Sequence, residues 1–234
     1  MISFDIITIF PRALDSYWQE SIIKRAQAKK LIKIISHNLR DYSTDKHHKV
    51  DDKPYGGGVG MVMMAEPIIK ALSKLKVLKR DAKSAFDRIK RSKKNRVILL
   101  AANGKQFTQK DARRLSKYDR LVFICGRYEG VDARVEKFID EKISVGPYVV
   151  TGGELPAALI IDAVARLIPG VVGKEESIIN ESFSAGCLEH PHYTRPEKLK
   201  FNGRNYLVPK ILLRGNHKKI QSWRQSKSPL IKSW

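Results

Sequence analysis

Two glycine-studded segments about twenty residues apart constrain this chain most: Cys125-Gly126-Arg127-Tyr128-Glu129-Gly130, and Val145-Gly146-Pro147-Tyr148-Val149-Val150-Thr151-Gly152-Gly153-Glu154-Leu155-Pro156. Each adjoins an apolar, β-branched run and leads into residues with helical spacing. Both therefore read as strand-to-helix turns where backbone must come close to backbone or to a ligand. Two such turns side by side point to one small-molecule pocket.

The rest of the first 168 residues repeats that alternation. Strands are expected over 2–9, 31–36, 96–101, 121–125 and 143–150, with helices over 13–28, from 66 to 72, and over 109–116, 131–138 and 154–167. A loop over 39–60 is rich in charge, histidine and glycine, and a loop that long argues for a function of its own or for disorder. The lysine-rich stretch 74–94 reads either as a solvated helical insertion or as a mobile linker. Strands alternating with helices imply an α/β fold, a mostly parallel sheet with helices on both faces. After Pro169 the pattern turns irregular and polar, and helical spacing returns only around 218–223. The expected organisation is a domain over 1–168, an interdomain linker over 169–190 and a small C-terminal helical domain over 191–234.

Lys and Arg number 45 against 24 Asp and Glu, a net charge of +21. An excess of that size acts as a field that draws polyanions, which favours a nucleic-acid partner over a merely well-solvated surface. The two cysteines, Cys125 and Cys187, form neither a C-x-x-C pair nor a disulfide framework, in keeping with a reducing, cytoplasmic compartment. The apolar start carries Asp5, lacks a basic leader and runs into Pro11; it reads as a buried strand, and no apolar run long enough for a bilayer follows.

Common motifs fall away on inspection. Gly104-Lys105 lacks both the upstream glycine and the hydroxyl residue of a P-loop, and no G-x-G-x-x-G opens a dinucleotide fold. His47-His48 and His190-Pro191-His192 lack matching cysteine or carboxylate spacing, so no metal site is assigned; histidine in a basic, RNA-facing loop is the commoner explanation. Whether a divalent cation assists is left open. Asp51-Asp52 precedes Tyr55-Gly56-Gly57-Gly58-Val59-Gly60, and two carboxylates there suit the donor edge of a guanine better than a phosphate.

With that loop included, the chain resembles the bacterial tRNA (guanine-N1)-methyltransferases, the TrmD family of the SPOUT superfamily. The resemblance runs nearly the whole length: Ile9-Phe10-Pro11, Asp51 to Gly58, the two opening segments, Arg166-Leu167-Ile168-Pro169-Gly170-Val171, Glu181-Ser182-Phe183, Pro191-His192-Tyr193-Thr194-Arg195-Pro196 and Gly215-Asn216-His217. It implies a deep trefoil knot, which physical reasoning alone would never propose. It also implies S-adenosyl-L-methionine as methyl donor, a homodimer, and tRNA as substrate, methylated on N1 of the guanosine immediately 3′ of the anticodon, position 37.

Guanine N1 carries a proton and is a poor nucleophile until a base removes it, whereas a sulfonium already presents an activated methyl. The protein must supply a base, a stabiliser of charge on O6, and positioning. The resemblance carries these roles onto Glu181 as base and Arg166 as stabiliser. Arg166 lies near the end of a helix, 159–168, that is apolar apart from Asp162, which is an unusual place for a merely solvated arginine. Glu181 stands where the family usually has aspartate. The resemblance assigns cofactor binding to Leu100, Gly126, Tyr128, Glu129, Val145, Gly146, Pro147, Tyr148, Val149, Val150, Gly152, Gly153 and Pro156. It assigns tRNA binding to His47, Asp51, Gly60 and Arg195. Pro147 replaces a usually acidic residue and removes a backbone donor; Leu99 to Gly104 replaces a Ser-Pro-Gln-Gly-like turn.

Two other readings compete. A non-catalytic RNA-binding protein would explain the charge but has no need of two close-packed glycine turns or of an acid downstream of a helix-end arginine. A different SPOUT RNA methyltransferase is opposed by Asp51-Asp52 and the triple glycine, through the resemblance alone.

Overall fold

The computed structural model describes residues 1–78, 94–173, 181–183 and 186–231. Contacts divide the chain into two compact units, Met1–Gly173 and Lys174–Trp234.

The first unit is built on five parallel strands in the order β2-β1-β6-β5-β7: β1 (Ile2–Thr8), β2 (Ile32–Asn38), β5 (Asn95–Gln106), β6 (Arg120–Cys125) and β7 (Glu141–Ser144). Central strands β1 and β6 are almost wholly buried, as expected for a parallel sheet covered on both faces. Their alternation sorts the core. Phe4, Ile6, Leu121, Phe123 and Cys125 face one apolar cluster, shared with α1 (Asp15–Trp18), α2 (Ser21–Ala28), α4 (Gln109–Leu115) and α5 (Glu154–Ala165). Ile7, Val122 and Ile124 face the other, shared with α3 (Ala65–Lys74) and a 3₁₀ helix over Ala133–Phe138. A short antiparallel pair, β3 (Asp51–Asp52) with β4 (Val62–Met63), bounds the glycine loop.

Several elements differ from the sequence reading, each for a local reason. The helix expected over 13–28 is broken in two, with Ser21 at φ 46°. Leu14 and Trp18 are buried four apart, but the next buried residues are Ile23 and Ala26, so the apolar stripe slips by one residue and a continuous helix cannot keep both ends in the core. The strand expected to run to Val150 stops at Ser144. Strand β5 continues to Gln106 through a bulge, with Leu100 and Lys105 both opposite Ile143. The expected helix over 131–138 is 3₁₀ in form, capped by Asp132 Oδ1, which accepts from Arg134 N at 2.9 Å. Lys74 ends α3, and most of the lysine-rich stretch, residues 79–93, lies outside the described residues.

The second unit has an antiparallel hairpin, β8 (Lys198–Phe201) and β9 (Arg204–Leu207), then two helices, α6 (Lys210–Leu213) and α7 (His217–Lys227). The sequence reading expected only helix here. The missed signal was Asn202-Gly203, a two-residue turn with φ 47° and 72° that matches the right-handed twist of a hairpin.

One charged cluster ties three strands together. Asp5 of β1 is fully buried and lies 2.6 Å from His37 Nε2 of β2; Arg120 of β6 donates to it from Nε at 2.7 Å and from a terminal nitrogen at 3.0 Å. Burial pushes the carboxyl's pKa up, but the hydrogen bonds and charges of His37 and Arg120 outweigh it and hold the pKa below the usual carboxylate value. A depressed folded-state pKa contributes stability that is present above the ordinary carboxylate pKa and disappears as pH falls through the folded value. Asp5→Asn should therefore cost about 3 kcal/mol at neutral pH, the lower end for opening a buried ion pair, since Arg120 and His37 keep some access to water. In urea titrations the gap between the two proteins should narrow below about pH 4; a gap that stays constant down to pH 2 would show that Asp5 is not the charged partner.

Candidate active site

Beyond the C-terminal ends of β5, β6 and β7 three loops enclose a cavity of about 390 Å³. Open parallel sheets place ligands at that end of the strands, and the volume suits a small molecule. The walls come from the β5 bulge over 99–103, the loop over 126–131 and the segment 142–153, closed by Pro156 and Glu136.

Glycines permit the close approach of these loops. The Gly153 amide donates to the Gly126 carbonyl at 2.9 Å, and a Cβ on Gly153 would stand 2.6 Å from Cys125 Cα. A Cβ on Gly104 would meet the Ile143 backbone at 2.6 Å, which explains why β5 can bulge and still pair with β7. At Gly146 a Cβ would meet the Tyr148 ring at 2.3 Å; the glycine lets that ring fold back over its own turn. Tyr128, at φ 60° and half exposed, holds a left-handed conformation rare for a bulky residue, a form of strain typical of ligand sites.

A buried ion pair holds the floor. Glu154, in the first turn of α5 and 3% exposed, lies 2.9 Å from a terminal nitrogen of Arg127. It also accepts from Arg127 Nε at 3.0 Å and from the Thr8 hydroxyl at 2.5 Å. The same guanidinium donates to the Thr151 carbonyl at 3.2 Å and lies over the Phe10 ring, 4.7 Å from its centroid. A charge-assisted hub of this kind fixes the loop–helix junction beside the cavity. Burial, then the charge of Glu154, pushes the Cys125 thiol well above its usual pKa, so Cys125 packs as an apolar residue.

The structure brings most of the candidate cofactor residues together. Leu100, Gly126, Tyr128, Glu129, Val145, Tyr148, Val149, Val150, Gly152, Gly153 and Pro156 line the cavity. Gly146 is buried behind the lining and Pro147 is exposed outside it. Lys142 and Glu136, also on the wall, pair at 2.9 Å.

Of the candidate tRNA residues, His47 is exposed in a loop where Asp45 accepts from the His47 and Lys49 amides, and those hydrogen bonds lower the Asp45 pKa. Asp51 pairs with Met63 across β3 and β4. Gly60, at φ 91°, packs against Glu129: a Cβ there would lie 2.6 Å from that side chain. The Glu129 amide donates to Met61 and the Met63 amide to Gly130, so the glycine loop and the cavity wall are directly joined. Arg166 caps the C-terminal end of α5, half-buried. Glu181 and Arg195 belong to the second unit, where Arg195 is exposed.

Sequence reasoning missed the Arg127–Glu154–Thr8 hub and the lining contributed by Ala101, Ala102 and Asn103. The available signal was Glu154, an acid that opens a helix apolar apart from Asp162, directly after two glycines.

The fold and the cavity define an α/β protein with a cavity of small-molecule size walled by glycine-rich loops at the ends of parallel strands. Residues 2–232 match the family model described as tRNA (Guanine-1)-methyltransferase TrmD. Three relatives carry the description tRNA (guanine-N(1)-)-methyltransferase. That of Carboxydothermus hydrogenoformans is 50% identical, covering 98% of this chain and 83% of its own. That of Clostridium novyi is 48% identical over 98% and 88%, and that of Dictyoglomus turgidum 50% over 97% and 85%. The chain belongs to the tRNA (guanine-1)-methyltransferase TrmD family.

The glycine contacts separate fold from ligand. Gly153→Ala forces a methyl onto the Cys125 backbone and should destabilise by about 3 kcal/mol, as for an overpacked core. At Gly126 the nearest atom to a new Cβ is a Val131 methyl at 3.4 Å, so Gly126→Ala should stay within about 1 kcal/mol of the parent. Equal unfolding midpoints for the two variants would refute the close approach at Gly153.

Proposed function

We propose that this chain transfers a methyl group from S-adenosyl-L-methionine to N1 of the guanosine immediately 3′ of the anticodon of tRNA, position 37. The observation that carries this reading is the family match over residues 2–232, joined to a glycine-walled cavity at the position where a methyl donor is needed. The donor set suits that ligand. Backbone edges of the three loops offer hydrogen bonds to an adenine, and Leu100, Val145 and Val150 offer apolar contact. Arg127 and Lys142 are neutralised by Glu154 and Glu136, and Glu129 makes no ion pair among the described residues, so a carboxylate is left to face a cationic donor. Bound there, S-adenosyl-L-methionine supplies an activated methyl on its sulfonium.

The chain's own residues supply the rest. Glu181 takes the proton from guanine N1, Arg166 offsets the negative charge that gathers on O6, and the loop holding Asp51 and Gly60 presents the base to the cavity wall at Glu129. His47 and Arg195 contact the tRNA. In this reading residues 1–168 form the methyltransferase domain with the deep trefoil knot of the SPOUT class, 169–190 the linker and 191–234 the tRNA-binding domain. The enzyme works as a homodimer. Val149, Leu155 and Leu159 support this by leaving apolar surface exposed, the last two four residues apart on one face of α5. In this reading the enzyme meets its tRNA in the cytoplasm.

The deciding experiment incubates the pure protein with labelled S-adenosyl-L-methionine and unmodified tRNA transcripts and maps the methyl; label on a ribose or on a ribosomal base only would overturn the reading. Calorimetry should find S-adenosyl-L-methionine bound without tRNA, with at least a tenfold weaker affinity in Gly126→Val, whose side chain enters the cavity.

Glu181→Gln keeps shape and loses basicity. It should leave tRNA and donor binding intact and slow single-turnover methyl transfer about 10²-fold or more. Glu181→Asp should be partly active. A parental single-turnover rate in Glu181→Gln would show that the proton leaves by another route.

Mixing Arg166→Ala with Glu181→Ala chains should restore up to one working site per dimer if the two side chains act from different subunits. Sedimentation of an active monomer would refute the dimer requirement.

A further inference from the structure

The second unit gathers three kinds of aromatic ring without burying them. His190 and His192 lie 4.6 Å apart between centroids, and Trp223 of α7 lies 6.2 Å from His190 and 6.3 Å from Tyr193. Tyr193 is 48% exposed and His192 is exposed, while His190 and Trp223 are partly covered. A small core would bury such rings, yet no described residue of this unit is buried. The cluster is therefore a surface feature that unites large apolar faces with ring nitrogens and a phenol.

Its electrostatic setting points to one class of partner. From Lys198 to the end the chain has ten Lys and Arg and no Asp or Glu. Lys219 and Lys227 lie four residues either side of Trp223, so both project from the same face of α7 and both are exposed. Glu189, 3.6 Å from His192, is the one carboxylate found against the cluster. Aromatic rings flanked by cations on a predominantly basic surface fit single-stranded nucleic acid, whose bases stack on rings while lysines meet the phosphates. A protein partner would need acidic side chains to match the lysines.

We propose that Trp223, with Tyr193 and His190, forms a stacking site for one unpaired base of the bound RNA, flanked by phosphate contacts from Lys219 and Lys227. The proposal rests on the reading of this chain as a tRNA methyltransferase and adds a base contact in the second unit, separate from the cofactor cavity. Trp223 acts by positioning, since it touches no reacting atom in this scheme.

The test compares the full-length parent with Trp223→Ala, Trp223→Phe and Lys219→Ala for binding of an unmodified tRNA transcript at several salt concentrations. Trp223→Ala should weaken binding about tenfold with the slope of log affinity against log salt unchanged, because stacking releases no counterions. Trp223→Phe should retain most of the affinity. Lys219→Ala should lower the salt slope by about one. Calorimetric affinity for S-adenosyl-L-methionine should be the same in all four proteins, and matching circular dichroism confirms that the second unit is folded. Abasic substitution through the unpaired positions of the transcript should identify one position where the parent loses as much as Trp223→Ala does and where Trp223→Ala loses nothing further.

Equal affinities of parent and Trp223→Ala for tRNA, or equal losses for Trp223→Phe and Trp223→Ala, would overturn the stacking site while leaving the methyltransferase reading intact. A parent protein that binds and methylates no tRNA would overturn both. Loss of affinity in Trp223→Ala at every abasic position alike would show that the ring supports the unit and touches no base.

Discussion

The approach of Gly153 to Cys125 is the constraint on which the site depends. It brings the start of α5 against the end of β6 at a distance no side chain could share, with the Gly153 amide closing onto Gly126. Everything around the cavity follows from that junction. Glu154 enters the sheet's interior one residue later, which forces it to find a cation, and Arg127 is the cation because Gly126 has turned the chain at the same place. An unpaired carboxylate there would be very costly, so the ion pair and the glycines are parts of one solution. The outcome is a rigid floor from which mobile ligands can be held by backbone.

The hub has a second consequence. Arg127 sits between the glycine loop and the cofactor wall: its amide lies 3.1 Å from the Met63 sulfur, its guanidinium reaches Thr151, and two residues on Glu129 packs against Gly60. The glycine loop and the cavity wall meet at one six-residue segment, Cys125 to Gly130. Pre-organisation of two reactants is the main contribution a methyltransferase can make when the methyl is already activated. The rigid segment is well suited to it.

Much of this could be read from the sequence, and the exceptions have physical reasons. Parallel strands buried on both faces write themselves as unbroken apolar runs, so β1, β5 and β6 were legible, and glycines in pairs announced the close approaches. Strand length was not legible at β7, because Val145, Val149 and Val150 have strand-like side chains but leave the sheet to wall a cavity, where tertiary demands override propensity. The break at Gln19 was hidden for a related reason: periodicity detects a stripe, and a one-residue slip between two stripes looks like noise in a short window. The hairpin of the second unit was overlooked because lysines interleave its apolar residues, although Asn202-Gly203 marked the turn. Arg127 and Glu154 stood inside quoted motifs, yet pairing between residues 27 apart in sequence cannot be read without the fold. The roles of Glu181 and Arg166 came from resemblance alone.

Charge is distributed in a way that bears on how the two units divide the work. Residues 70–94 carry a net +9 and residues 198–234 a net +10, which leaves only +2 on the remaining 172 residues. Around the sheet, the hub and the cavity wall, cations are matched by acids: Arg120 by Asp5, Arg127 by Glu154, Lys142 by Glu136, and Arg96 and Arg114 by Glu141. Such pairs are screened little by salt, since each partner is close and partly buried. An attraction for a polyanion would come chiefly from these two basic stretches of sequence, whose charge acts over a Debye length and releases counterions on binding. A methyl donor that is itself cationic would be repelled by a pocket built from the same lysines. In the proposed function, confining much of the excess charge to two stretches of sequence would let one chain attract RNA and still hold a sulfonium beside Glu129.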